Sequence, residues 1–72
     1  MKKLKSDAPS RSATDVGPGD FVKVGTSWKK IESNTASGQE RTPRSWSVKT
    51  EDGASYDMFS IRRYAKADDL TD

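Results

Sequence analysis

Apolar and polar positions alternate in short stretches along this chain, and no segment keeps a helical spacing over ten residues. In DFVKV (20–24), Val22 and Val24 share one face of a strand, and Phe21 and Lys23 share the other. The valines are expected in the core, and Phe21 and Lys23 are expected to face outward, where a partner would meet them. A Gly-Thr-Ser turn follows, then a second strand in SWKKIES (27–33). Trp28 and Ile31 are three apart there, which breaks strict alternation and predicts a β-bulge or a strong bend between them.

SNTASGQERTPR (33–44) reads as a long polar loop broken by Gly38 and Pro43. SWSVKT (45–50) alternates cleanly, with Trp46, Val48 and Thr50 on one face. EDG (51–53) predicts a tight turn with Gly53 at a positive φ. SYDMFSI (55–61) is the returning strand, with Tyr56 and Met58 on the side of Trp46 and Val48. Phe59 then falls on the opposite, outward face. SIRRY (60–64) predicts one closing helical turn, because Ile61 and Tyr64 are three apart.

Large apolar residues concentrate between Val16 and Tyr64; outside that span only Met1, Leu4 and Leu70 are large and apolar. The expected organisation is a disordered basic leader over 1–15, a folded unit over 16–66 and a frayed acidic tail over 67–72. The expected fold class is all-β: a small SH3-like barrel of four to five short antiparallel strands with a short terminal helical turn. Strong curvature lets few strands enclose one core, which suits a chain of 72 residues.

Composition narrows the chemistry. There is no Cys and no His. That excludes disulfides, thiolate metal sites and Ser-His or Cys-His nucleophile pairs. The remaining carboxylates lack the spacing of a calcium loop. Asp52 and Asp57 flank a turn, with no apolar setting to raise either pKa. No catalytic residue, metal site or cofactor is predicted. Gly17, Gly19 and Gly25 are not a phosphate loop, because the strand follows the glycines and no helix opens after them. No segment has the length and apolarity of a signal peptide or a membrane span, so a cytoplasmic setting is expected.

The net charge is +2, unevenly spread. Residues 1–44 carry nine basic and five acidic groups, and residues 45–72 carry four basic and six acidic groups. Aromatic residues Trp28, Trp46, Phe59 and Tyr64 interleave with Lys29, Lys30, Arg41, Arg44, Arg62 and Arg63. Cations neutralise phosphates and release counterions, while aromatic faces stack on unpaired bases. The bland counterpart is that the tryptophans build the core and the basic residues coat the surface. The expected nucleic-acid-binding set is Lys29, Lys30, Arg41, Arg44, Arg62 and Arg63 for charge, with Phe59 and Trp46 for stacking. Outward Phe21 and Phe59 would also offer a surface for self-association.

GPGDFVK (17–23), SW (27–28) entering the second strand and TPRSWSVKTE (42–51) entering the third resemble the plasmid-encoded type II dihydrofolate reductases. The resemblance implies an SH3-like barrel behind a disordered leader. It further implies a tetramer around one pore that takes NADPH and dihydrofolate. Where that family carries Val-Gln-Ile-Tyr, this chain has Tyr56, Asp57, Met58 and Phe59. Asp57 stands at the Gln, Phe59 stands at the Tyr, and the pore lysine falls at Val24 or is displaced to Lys23. Four Asp57 carboxylates around a pore would repel a phosphorylated cofactor and one another. The resemblance therefore speaks for the fold more than for the reduction. The leading expectation is a non-enzymatic module that contacts nucleic acid or a nucleic-acid-handling complex. The alternatives are a protein-binding adaptor or inhibitor of phage or plasmid accessory type, using the 33–44 loop and the exposed face of the last strand, and the reductase-like tetramer.

Overall fold

A computed structural model describes residues 2–71; Met1 and Asp72, the outer ends of the expected leader and tail, lie outside the described residues. The strands are β1 (Lys3–Leu4), β2 (Phe21–Val24), β3 (Ser27–Asn34), β4 (Ser47–Thr50), β5 (Ser55–Asp57), β6 (Ile61–Ala65) and β7 (Leu70–Thr71). Single 3-10 turns occupy Ala13–Asp15 and Ala67–Asp69. The protein is all-β and its strand pairs are antiparallel. β2 to β6 form one sheet in the order β5-β4-β3-β2-β6, and β1 pairs with β7 in a second, two-stranded sheet. The expected closed barrel is not formed. Among the described residues no ladder joins β5 to β6, so these two strands remain edges.

Local chemistry sets the turns. Val24 pairs with Ser27, leaving a two-residue hairpin loop in which Gly25 sits at φ 62°. At the β4–β5 turn Gly53 adopts φ 90°, as its sequence predicts. Asp52 fastens that turn: its carboxylate accepts from the buried Thr50 hydroxyl and from the Ala54 amide at 3.2 Å. Asp57 fastens the β5–β6 turn, accepting from the amides of Phe59 and Ser60, each at 3.0 Å.

The main core joins Val16, Val22, Ile31, Val48 and Ile61, with Val24, Trp46, Tyr56 and Tyr64 packed around it. A second cluster occupies the other face of β2. Phe21, Ala65 and Leu70 form it, and Leu4 and Trp28 pack against it. Phe21 is therefore buried, not outward, because β1 and β7 bring Leu4 and Leu70 over that face. The same second core explains Trp28 and Ile31. They point to opposite faces of β3, and the β2–β3 register runs evenly from Phe21↔Lys30 to Val24↔Ser27. No bulge separates them; the irregularity of β3 lies beyond Ile31, against β4.

The expected helical turn over 60–64 is strand instead. β6 pairs with β2, and a register shift between Lys23 and Val24 lets Ile61 and Tyr64 both reach the main core despite their odd spacing. The closing 3-10 turn comes later, at Ala67–Asp69. The SYDMFSI strand is likewise shorter than expected, ending at Asp57.

Residues 2–15 are tied to the rest of the fold at several points. The Lys5 amide donates to the Asp69 carbonyl at 2.8 Å. The Arg11 guanidinium grips the Asp69 carboxylate through Nε at 2.9 Å and Nη2 at 3.1 Å. The Asn34 side-chain amide donates to the carbonyls of Ala13 and Val16, both at 2.9 Å. Arg11 and the Lys66 backbone amide together hold the Asp69 carboxyl at a pKa of about 2, against an ordinary 3.8.

Candidate nucleic-acid interface

The register of the sheet sets a row of side chains across three strands. Arg63 of β6 faces Lys23 of β2, which faces Trp28 of β3. Neighbours in register share a face, so all three lie on the outer side, the side of the Phe21 cluster. The Lys23 ammonium sits 5.8 Å from the centre of the Trp28 ring. On the same side, the Lys2 ammonium lies 5.3 Å from the centre of the Phe21 ring.

Two shallow grooves meet at Thr26, on the β2–β3 turn. One, of ≈ 540 Å³, is lined by Lys2, Thr26, Ser27, Trp28 and Lys29. The other, of ≈ 520 Å³, is lined by Lys23, Gly25, Thr26, Arg62 and Arg63.

The cations divide into two groups. Lys29 pairs with Asp52 at 3.3 Å, Lys30 with Glu51 at 3.9 Å, Lys49 with Glu32 at 3.7 Å and Lys66 with Asp20 at 3.9 Å. Lys23, Arg62 and Arg63 of the five-stranded sheet have no carboxylate partner among the described residues, and neither do Lys3, Lys5, Arg41 and Arg44. Among the described residues, Lys23, Arg62 and Arg63 thus form a local excess of positive charge beside one groove, which would attract an anion.

The expected site residues do not converge on one place. Lys29 and Lys30 point to opposite sides of β3 and are both ion-paired. Arg41 and Arg44 are exposed on the connection from β3 to β4. The Trp46 ring packs against the main core, and its N–H donates to the Tyr64 hydroxyl at 2.8 Å. Burial raises the Tyr64 phenol above its ordinary value of 10, and the bond from Trp46 opposes that shift. Phe59 is 87% exposed at the β5–β6 turn, away from any strand. Only Arg62 and Arg63 are brought together, by β6, and beside Lys23. Trp28, Thr26 and Lys2 complete the surface and were not among the expected site residues. The alternation that turned Phe21 and Lys23 to one side was the available signal for Trp28, once β3 is paired with β2.

The carboxylates of Asp52 and Asp57 serve their own turns. Hydrogen bonds, first from Thr50 and then from Ala54, hold the Asp52 carboxyl below its ordinary value. Among the described residues, no group of three or more acidic, His or Cys side chains could hold a metal ion. Among them, too, no helix is long and apolar enough to cross a membrane. No known protein family, curated protein or solved structure matches this chain.

Proposed function

We propose that this protein is a non-enzymatic binding module that contacts nucleic acid or a nucleic-acid-handling complex. One observation carries the reading. The cations without carboxylate partners on the sheet, Lys23, Arg62 and Arg63, line a single groove beside a half-buried tryptophan. Long cationic side chains there can neutralise phosphates without first breaking an internal ion pair. Lys2 adds charge from the N-terminal segment on the same side. The test is a binding titration with short RNA and DNA. Affinity should fall steeply between about 50 and about 200 mM salt, as counterion release requires. No binding at the lower salt would remove the reading.

A second reading, a protein-binding adaptor or inhibitor of phage or plasmid accessory type, draws on Phe59. A phenylalanine 87% exposed on a turn fastened by Asp57 is a ready contact for a partner. A pull-down from nuclease-treated extract that depends on Phe59 would favour it over the first.

For the fold, the strand order supports an opened SH3-like arrangement: a meander whose last strand returns beside its first. The reductase reading draws less support. The Asp57 carboxylate is engaged by its own turn, and Phe59 lies at that turn's tip. NADPH oxidation with dihydrofolate by a tetrameric form would reopen that case.

A further inference from the structure

The two grooves that meet at Thr26 place cations at both ends of one path and an aromatic ring within it. On one side of Trp28 stands Lys2, with Lys29 held by Asp52 at 3.3 Å; on the other stand Lys23, Arg62 and Arg63. We infer that this path takes single-stranded nucleic acid, with Trp28 stacking on one unpaired base and the flanking cations meeting phosphates on either side. The inference rests on the nucleic-acid reading above and narrows it.

Three features favour an unpaired strand over a duplex. First, Trp28 is half-buried and packs against the Phe21 cluster on the same face, which restrains the ring more than a loose surface side chain. Second, Lys23 already sits over that ring at 5.8 Å, which keeps a cation beside the place a base would occupy. An arriving base displaces the ammonium onto the adjoining phosphate, and the aromatic face passes from cation to base. Third, the turn between the grooves is bare. A side chain added at Gly25 would meet nothing within 4 Å, so a strand can pass close to the backbone there. A duplex keeps its base faces stacked on one another and offers Trp28 only sugar and phosphate.

The test uses the whole chain at about 50 mM salt with two labelled probes. One is an oligothymidylate of about 12 nucleotides, within the usual span of single-strand sites; the other is a duplex of the same length. The single strand should bind at least about tenfold tighter, the size of one good stacking contact. In a W46F variant, where Trp28 is the sole indole, saturating oligothymidylate should quench the emission. W28L keeps an apolar contact with the Phe21 cluster but loses the ring, and should bind about tenfold more weakly with its fold retained by circular dichroism. That comparison decides the matter without W46F. Equal affinity for duplex and single strand, with W28L binding like the parent, overturns the single-strand path and leaves the nucleic-acid reading standing. No binding of either probe overturns both.

Discussion

β2 has two faces, and they differ in kind. One carries Val22, which is fully buried among Val16, Ile31, Val48 and Ile61. That face is apolar, and its buried neighbours come from β3, β4, β6 and the segment before β2. The other carries Phe21 at one end and Lys23 at the other. Phe21 is covered by Leu70, Ala65 and Leu4, where the β1–β7 pair crosses. Lys23 lies where that cover stops, beside Arg63 and Trp28. Four residues of one strand thus serve a core, a second small core and a cationic surface. Burial explains the first two. The third has the contact of Lys23 with the Trp28 ring in its favour against the repulsion of like charges, and it is there that we propose a ligand binds.

The contrast can be broken most severely at the main core. I31A should cost about 3 to 5 kcal/mol, because Ile31 is fully buried and its neighbours come from rigid strands. Urea melts should show most of the chain unfolded without denaturant, since a domain this size has little stability to spare. L70A, at the second cluster, should cost about 2 kcal/mol, because β1 and β7 are only two residues each and can close in. A cost for L70A equal to that of I31A would mean that the two clusters are one core.

The clasp of Arg11 on Asp69 gives a smaller effect with a defined pH window. Folded Asp69 stays ionised down to about 2, whereas the unfolded carboxyl takes its proton near 3.8. Between those values the unfolded chain binds more protons. The contribution is complete above about pH 5 and is lost as pH falls toward about 2. Thermal melts should follow that fall, and D69N or R11A should flatten it. At the small end, K30A removes an ion pair whose partners are both 52% exposed, and should change stability by less than about 0.5 kcal/mol.

Several parts of this architecture are legible in the residues. Alternation in DFVKV and SWSVKT places Val22, Val48 and Thr50 inward, and all three are buried. Gly53 marks its turn, and the all-β class follows from the lack of helical spacing. What misleads is the assumption of one core. Trp28 and Ile31 look like a bulge, and Phe21 looks exposed, only while the outer face is taken to be bare. Ile61 and Tyr64 look helical because a bulge against β2 shifts the register by one residue, and a single strand's pattern carries no sign of its partner's bulge. Arg11 and Asp69 are 58 residues apart, so composition alone gives no hint that they meet. The site follows the same rule. Arg62, Arg63 and Lys23 are each visible as basic residues, but their union depends on pairing β6 with β2.

The central claim is that the outer-face cations bind phosphate. The most direct measurement is the slope of log affinity against log salt for a short single strand. The parent should be compared with the K23A/R62A/R63A variant. Each lost phosphate contact should remove about 0.7 from the slope, so the variant should be shallower by about 2. A variant that binds with the parent's affinity and slope would contradict the account.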